Sequence, residues 1–425
     1  MGIFDQIDLT DLDVFAERMP HEWFDALRRE HPVWLHPATD DEPEPFWVVS
    51  SYEHITEVHR AGTLYSHQTG PGREGAGGIA LTDIEPGRGP GLQMVMTDPP
   101  QHTRYRKLVN KGFTPRMIRR LEDVMRTRTD LILDRICEAG EADFVTQVSA
   151  ELPLMAIADI LGVPDADRNL LFDWSNRTIG GSDPEFSADP SEPGDEYEKA
   201  VIEMAMYAHD LTDRKRAEPA DDVWTALTEA RVTLDDGTVA ELTDLERDLF
   251  FTLLIVAGNE TTRNAISLGM MAFMEHPDQW QRVREQGMDT TAVDEVLRHT
   301  SPVNYFRRTA TADTRLGGES IRAGDKVTLW YPSGNRDEKV YDDPHRLDLT
   351  RTPNHHLAFG GGGAHFCLGA NLARLEIEIM FEGLARRLPD LEATGPPDRL
   401  RMNLVNGIKH LPVAFTPSGP VLVDS

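Results

Sequence analysis

Apolar residues recur every three to four positions over most of the chain, from about residue 103 to residue 388. This spacing predicts α-helices with one buried face, separated by breaks rich in proline and glycine. Stretches with the apolar pattern of strands are few, and they cover residues 46–50, 315–321, 326–331 and the tail after residue 400. The pattern therefore predicts a mainly α protein with small β-sheets.

The longest helical pattern begins near Thr243 and continues to about Glu275. Thr243 and Glu246 have the spacing of a capping box, and the run 249–257 is apolar on all faces, which predicts a helix through the core. The run Gly-Asn-Glu-Thr-Thr at 258–262 then interrupts the apolar pattern, although glycine costs about 1 kcal/mol relative to alanine inside a helix.

Two interpretations of this polar run remain open. A threonine hydroxyl can bond to a carbonyl one turn earlier, which is a purely structural role. Alternatively, the helix widens locally and receives a small ligand, with the Thr261 hydroxyl and the Glu260 carboxylate available to pass protons.

No serine- or glycine-rich linker and no repeat divides the 425 residues, so we expect one compact unit over 1–425. The segment 67–100 holds eight glycines and five prolines, which is typical of a lid or a binding loop. A second loop, 180–198, is acidic and contains several prolines. Both loops are candidates for movement that admits a ligand.

The composition favours a soluble, cytoplasmic protein. Hydrophobic residues make up 40% of the chain, no apolar run is long enough to span a membrane, and the acidic, amphipathic segment 1–18 has no signal-peptide pattern. The two cysteines, Cys137 and Cys367, lie far apart in unlike contexts. We therefore expect both to be reduced.

The formal net charge of -29 argues against a nucleic-acid partner, because phosphate backbones require clustered Lys and Arg. The segment 101–130 differs from the rest, with nine basic and three acidic residues and a net charge of +6. It is either a solvated helix face or a docking patch for an acidic protein.

Cys367 carries the strongest chemical signal in the sequence. Four glycines at 360–363 precede it and Gly369 follows it, so a flat, bulky group such as haem fits against this backbone. The apolar spacing that follows predicts a helix, whose N-terminal end favours a thiolate. The arrangement suits an axial iron ligand, and the alternative is a buried, inert cysteine.

Glu295 and Arg298 share one face of a predicted helix. Alone, such a pair is usually surface decoration. The pair is, however, one of four motifs whose order and spacing resemble the bacterial cytochromes P450 across nearly the whole chain. The other three are Cys367 with its glycine loop, the run 257–261 (Ala-Gly-Asn-Glu-Thr) and His102-x-x-x-Arg106. The resemblance implies a helical triangular prism, with haem b between the central helix and the helix after the cysteine.

The resemblance also implies a role for each matching residue. Cys367 would be the proximal thiolate, and Thr261 and Glu260 would serve oxygen activation. Arg307 adjoins Arg308 and carries the same charge. The remaining implied roles are the haem propionate ligands His102, Arg106, Arg308 and His365, the haem contacts Phe359, Gly369, Ala257 and Gly258, and the buried triad Glu295, Arg298 and Arg346.

One departure concerns the cysteine loop. Phe359 lies eight residues before Cys367, one more than is usual in the family. This longer loop is similar to that of the bacterial steroid side-chain (C26/C27) monooxygenases and methyl-branched lipid ω-hydroxylases. Four strings share this similarity: AGNETTRN at 257–264, HPDQW at 276–280, GFTPR at 112–116 and GIKH at 407–410. The implied reaction is hydroxylation of a terminal methyl group on a sterol or branched lipid.

An apolar substrate must be recognised by shape and burial. The candidate contacts, each of which is equally open to a role in ordinary core packing, are Leu92, Met94, Met96, Val256, Ala257, Val303, Tyr305 and Val405.

The chain has no flavin or nicotinamide domain, so electrons would come from a ferredoxin and its reductase. The basic segment 101–130 would attract the acidic ferredoxin. We expect the P450 itself to be a monomer. Terpenoid or fatty-acid hydroxylation is the nearest alternative. A peroxide-driven peroxygenase would not need the basic segment, and a haem-thiolate sensor would not need Glu260 and Thr261.

Overall fold

The computed structural model describes residues 2–110, 112–113, 115–179, 183–186, 194–234 and 236–422, without the side chains of 115–117, 119–120, 179 and 194–195. The described chain is mainly α-helical with small sheets, as the sequence predicts. The helices are α1 Leu12–Glu17, α2 His21–Glu30, α3 Tyr52–Arg60, α4 Gln101–Val109, α5 Pro115–Ile136, α6 Glu151–Leu161, α7 Arg168–Ile179, α8 Gly194–Ala217, α9 Val223–Thr228, α10 Asp244–Glu275, α11 Pro277–Gln286, α12 Thr290–Thr300, α13 Tyr331–Gly334 and α14 Ala370–Arg387.

The strands are short. They are β1 Val33–His36, β2 Phe46–Val49, β3 Tyr65–Ser66, β4 Glu141–Asp143, β5 Val232–Thr233, β6 Val239–Ala240, β7 Tyr305–Ala310, β8 Thr314–Leu316, β9 Glu319–Ile321, β10 Lys326–Trp330, β11 Glu392–Ala393, β12 Asp398–Arg399, β13 Ile408–His410 and β14 Pro412–Ala414.

Helix α10 runs through the main hydrophobic core and packs against α6, α8, α12 and α14. Its capping box forms as predicted: the Thr243 side chain accepts from the Glu246 N–H (3.2 Å), and the Glu246 carboxylate accepts from the Thr243 N–H (2.9 Å). The helix continues through 258–262 without a break. This element provides one wall of the site described below.

The largest sheet has five strands in the order β1-β2-β10-β7-β3, with β10 parallel to β2 and antiparallel to β7. Strand β7 lies within the region that the sequence predicts as mostly helical, and it carries two buried arginines, Arg307 and Arg308. The predicted strand 315–321 is instead the hairpin of β8 and β9. Gly317 and Gly318 turn the chain there with φ of 58° and 91°, which glycine adopts without strain.

The segment 67–100 contains a short 3-10 helix, Met94–Met96. At the start of the segment, the Asp98 carboxylate accepts hydrogen bonds from the His67 N–H at 2.9 Å and from the Ser66 hydroxyl. Part of the predicted loop 180–198 lies outside the described residues, and α8 begins within that loop.

Candidate active site

A large internal cavity lies between α10 and the segment that leads into α14. The volume that the centres of water molecules can occupy in this cavity is about 230 Å³. Two kinds of side chain line it. One group is charged or polar, and the other is apolar, including Met94, Phe113, Ile157, Phe250, Leu254 and Val303.

Cys367 contributes its thiol to this cavity. Its backbone N–H donates to the Phe359 carbonyl at 3.1 Å, which closes the glycine loop, and α14 begins three residues later. The thiol is open to the cavity but lies deep inside the protein. Desolvation therefore raises its pKa, whereas a hydrogen bond from the Gly369 backbone and the charges of Arg106 and Arg374 act to lower the pKa.

The other cysteine, Cys137, is buried, and its Sγ lies 3.4 Å from the Asp134 carbonyl oxygen. Both cysteines are free, as the sequence predicts.

Basic groups form the polar part of the lining. Arg308 is buried, Arg106 is half-buried, and neither forms an ion pair within the described part of the chain. Burial lowers the pKa of both guanidinium groups. Four histidines accompany them, each with one buried ring nitrogen that has no hydrogen-bond partner among the described residues: His59, His67, His102 and His365.

Burial also lowers the pKa of these histidines, to about 3 for His59, about 4 for His102 and about 2 for His365, and it strongly lowers the pKa of His67. A neutral imidazole still donates one hydrogen bond. Buried cations and donors without partners are costly unless an anion joins them. The two carboxylates of haem would supply such an anion, and the Cys367 thiol in the same cavity could bind the haem iron. This set of residues therefore fits haem.

Arg307 and Arg308 lie in different surroundings, because neighbouring residues of a strand point to opposite faces of the sheet. Arg307 pairs with Asp83 at 2.7 Å and donates to the Leu81 carbonyl at 3.0 Å, whereas Arg308 lines the cavity.

One face of α10 forms the opposite wall, with Ala257, Gly258, Thr261, Thr262 and Ala265 in the lining. The Thr261 hydroxyl donates to the Ala257 carbonyl at 2.7 Å, which is the back-bonding that the sequence allows as a structural role.

Gly258 packs closely against α6. A Cβ atom there would lie 2.6 Å from Cδ1 of Ile157 on α6. The absence of a side chain at this position therefore lets α6 and α10 approach closely.

Glu260 is buried and is not among the cavity-lining residues. Its Oε1 accepts from Arg263 at 2.5 Å and from Asn264 at 2.7 Å. The carboxylate is thus held in a buried polar network, and Glu260 directly precedes Thr261 on α10.

Comparison with known proteins decides the family. The cytochrome P450 family model matches residues 188–406. Steroid C26-monooxygenase of Rhodococcus jostii (strain RHA1) is 45% identical over 418 residues, which cover 97% of this chain and 85% of that protein. The chain is a cytochrome P450.

Two further relatives extend the likeness. Methyl-branched lipid omega-hydroxylase of Mycobacterium bovis (strain ATCC BAA-935 / AF2122/97) is 38% identical over 422 residues, covering 96% of this P450 and 95% of that protein. The solved structure of Mycobacterium marinum cytochrome P450 CYP268A2 in complex with pseudoionone superimposes with a TM-score of 0.85 and 36% identity, over 97% of this chain and 99% of that one.

The P450 assignment confirms the fold, the haem cofactor and the monooxygenase chemistry that the sequence predicts. As a family member, this P450 uses O2, a small-molecule substrate and redox partners. No helix in the described ranges combines the length and the apolar character needed to cross a bilayer.

The predicted triad differs in one member. Glu295 and Arg298 are fully buried and form a two-bond pair at 2.7 and 2.8 Å. The third member, beside Glu295, is Arg351 at 3.2 Å. Arg346, the residue that the resemblance implies, has an exposed side chain that pairs with Asp278 at 3.3 Å and contributes only its carbonyl to Arg298.

Among the predicted substrate contacts, Met94, Ala257 and Val303 line the cavity, whereas Leu92, Met96, Val256, Tyr305 and Val405 are not part of the lining. Tyr305 is buried in a separate core cluster against Trp330. Met96 packs beside the glycines of its own loop, 3.1 Å from a Cβ placed at Gly89. Tyr305 and Met96 therefore pack in the structure around the cavity and not in its wall.

Four titratable residues in the lining are not among the site residues that the sequence predicts: His59, His67, Tyr331 and Glu376. Isolated histidines and a tyrosine carry no pattern that distinguishes a cofactor contact from packing. Glu376 is buried on α14, and its Oε2 has no hydrogen-bond partner among the described residues. Burial raises the pKa of Glu376 to about 8.

The basic segment 101–130 is partly neutralised within this P450. Arg104 pairs with Glu246, Arg126 with Glu122 and Glu382, and Arg128 with Asp159 and Asp165, while Arg106 lines the cavity. The charge on its outer surface is therefore smaller than the sequence count. The side chains of Arg116, Arg119 and Arg120 and the whole of Lys111 lie outside the described part.

Proposed function

We propose that this P450 hydroxylates the terminal methyl group of a sterol side chain or a methyl-branched lipid. The observation that carries the proposal is the 45% identity, over 97% of the chain, to a steroid C26-monooxygenase. The relative named methyl-branched lipid omega-hydroxylase supports the second substrate class. The apolar lining agrees with both, because an alkyl chain offers no polar group to recognise and its burial contributes about 25 cal/mol per Å².

In this proposal, Cys367 is the iron ligand, and His102, Arg106, Arg308 and His365 bind the haem carboxylates. Phe359, Gly369, Ala257 and Gly258 contact the haem. When bound, haem activates O2 for insertion into a C–H bond, and thiolate ligation favours O–O cleavage. The unpaired basic lining supports the carboxylate ligands. His67 extends this donor set beyond the residues that the sequence predicts.

Thr261 and Glu260 would supply protons on the α10 side. The Thr261 hydroxyl, which lines the cavity and donates to the Ala257 carbonyl, would hold and pass on a proton there. Glu260 is the nearest acid along the helix, although Arg263 and Asn264 hold it in the network described above. The apolar walls restrict water, so that protons arrive through these side chains rather than through bulk solvent.

A ferredoxin and its reductase are the proposed electron donors, with the segment 101–130 as the docking face. We further propose that residues 1–425 act as one unit and as a monomer in the cytoplasm. A triad of Glu295, Arg298 and Arg351 would hold the region before the cysteine loop in place.

Carbon monoxide spectroscopy tests the ligand assignment. The reduced protein should bind one haem and show the red-shifted Soret band for which the family is named. Cys367→His should abolish the red-shifted band while Cys137→Ala retains it. An unchanged spectrum in Cys367→His would refute Cys367 as the ligand.

Spin-shift titrations test the substrate class. The panel should contain cholest-4-en-3-one, a methyl-branched fatty acid, a straight-chain fatty acid and pseudoionone, the ligand of the CYP268A2 complex. We expect the first two to give the largest shifts and products oxidised at the terminal methyl. Oxidation only at ring or mid-chain carbons would reject this substrate class and leave the monooxygenase activity intact.

A further inference from the structure

His59 lies in the last turn of α3, on the side of the molecule that carries the five-stranded sheet. Its ring lines the cavity, and its Nε2 is buried without a hydrogen-bond partner among the described residues. His59 belongs to the histidines of the donor set, but the proposed function assigns it no ligand role of its own. Its surroundings, however, include the glycine loop that precedes Cys367.

The glycines of that loop are bare where His59 approaches. A Cβ atom at Gly361 would lie 2.8 Å from Cδ2 and 3.2 Å from Cγ of the His59 ring. One at Gly363 would lie 2.5 Å from the His59 carbonyl oxygen, and one at Gly360 would lie 3.5 Å from Cε1. Because carbon atoms do not approach closer than about 3.5 Å without strain, side chains at 361 and 363 would displace His59 or the loop.

Gly361 differs from its neighbours in backbone conformation. Gly360, Gly362 and Gly363 have φ of 92°, 96° and 79°, a region that favours glycine whatever the surroundings. Gly361 has no positive φ. Alanine is therefore allowed there by the backbone, and the His59 ring is the neighbour that excludes it.

Displacement of the loop at 361 reaches the cysteine directly. The hydrogen bond from the Cys367 N–H to the Phe359 carbonyl closes the loop into a ring of backbone, with Gly361 inside it and His59 against it. Only seven residues, 360–366, separate the two bonded residues, so the ring has few backbone dihedrals with which to absorb a shift at Gly361 before it reaches Cys367.

We propose that His59 is a positioning residue for the iron ligand: its imidazole occupies the space beside Gly361, its backbone carbonyl lies beside Gly363, and together they fix the loop that presents Cys367. The proposal rests on the proposed role of Cys367. It also gives a reason for the glycine run that differs from the sequence interpretation, in which the glycines make room for the cofactor itself.

A double-variant cycle tests the proposal on the haem-loaded protein. His59→Ala should reduce the fraction of the reduced carbon monoxide complex in the red-shifted band, shift the haem reduction potential and lower the melting temperature. Gly361→Ala should do the same, because the added methyl group would collide with the ring. In the double variant the collision is absent, so adding Gly361→Ala to His59→Ala should cause no further loss.

Gly362→Ala is the matched control. It introduces strain through its φ of 96°, but no atom of the described part of the chain lies within 4 Å of the added Cβ, so its effect should be equal with and without His59. His54→Ala, on the same helix but outside the cavity lining, should leave the spectrum unchanged. If Gly361→Ala yields no haem protein, comparison of His59→Ala with the double variant still decides.

Two outcomes would overturn the proposal: a full red-shifted band and an unchanged potential in His59→Ala, or equal losses from Gly361→Ala in the presence and absence of His59. The second outcome would mean that the cofactor, not the histidine, excludes a side chain at 361. Cys367→His separates this failure from failure of the proposed function, because it should abolish the band whether or not His59 positions the loop.

Discussion

Glu376 is a carboxyl group that lines the cavity with no cation beside it among the residues that the structure describes. Desolvation is the cause of its raised pKa of about 8, compared with an ordinary value of 4.5, so the folded protein carries it as a neutral acid at pH 7. The folded state then holds a proton that the unfolded state releases. The stabilisation that this proton provides is fully present below pH 4.5 and is lost as the pH rises through 8.

Glu376→Gln removes this linkage while keeping a neutral side chain of the same size. We expect the variant and the parent to have similar melting temperatures near pH 5, and the variant to be more stable at pH 8, by on the order of 4 kcal/mol. Thermal unfolding of both proteins across this pH range measures the difference. The exposed Glu275→Gln should follow the parent at every pH, and parallel curves for Glu376→Gln would contradict a neutral Glu376.

Thr261 gives a prediction about coupling. Thr261→Ala keeps the apolar contacts of the cavity but removes the hydroxyl, so substrate should bind while electrons are diverted to hydrogen peroxide. Hydroxylated product should fall by about 100-fold, the lower end of the usual contribution of a positioned proton donor. Product and peroxide per electron pair are the quantities to measure.

Thr261→Ser, which restores the hydroxyl, is the control for this prediction and should remain largely coupled. Glu260→Gln should slow turnover without the same diversion. Full coupling in Thr261→Ala would contradict the proposed role of the hydroxyl.

At the residue level, sequence reasoning succeeds where a residue type has a demanding chemical role and fails between equivalent neighbours. Cys367 is unique in its loop, whereas Arg346 and Arg351 lie five residues apart and carry the same charge. Only the path of the irregular chain before the cysteine loop brings Arg351 to Glu295. No periodic pattern describes such a path.

Among the elements, α10 is predicted almost to the residue because its start has a capping box and its run 249–257 is apolar on all faces. Strand β7 is missed because Arg307 and Arg308 make its sequence polar. Both are buried in the structure, one against Asp83 and one beside the haem site. A partner that is distant in sequence, or a cofactor, is invisible to a local pattern.

The connection between α12 and the chain that precedes the cysteine loop gives the next prediction. Glu295 accepts hydrogen bonds from Arg298, from Arg351 and, at 2.9 Å, from the Asp348 N–H. Arg351→Leu should destabilise the haem protein by about 2 kcal/mol, because a buried carboxylate loses a charged donor. Arg346→Leu removes only an exposed pair and should cost less than about 1 kcal/mol.

Chemical denaturation of the two leucine variants side by side measures this difference. The pair is matched, since each variant loses one arginine from the same stretch of chain. A larger loss for Arg346→Leu would restore the triad that the resemblance implies, whereas equal small losses would make the third member of the triad dispensable.

On the scale of the whole molecule, the net charge of -29 contrasts with the +6 of the segment 101–130. The structure reduces that contrast, because Arg104, Arg126 and Arg128 are paired with acidic residues. Ion pairing between distant segments explains why a charge count along the sequence overstates the positive charge of the folded surface. The docking proposal therefore depends on Arg116, Arg119 and Arg120, which cluster at the start of α5.

Ferredoxin-supported turnover should fall as salt rises, because opposite charges on two surfaces are screened over a Debye length of about 10 Å at 0.1 M. Charge reversal at Arg116, Arg119 or Arg120 should raise the apparent KM for ferredoxin by about 10-fold, equivalent to about 1.4 kcal/mol, and leave substrate spin shifts unchanged. Arg135→Glu is the matched control, since it lies on the same helix outside the segment and its side chain is already paired with Glu151. If Arg135→Glu raised the KM as much as the other three, the effect would come from the net charge of the molecule and not from a docking face on α5.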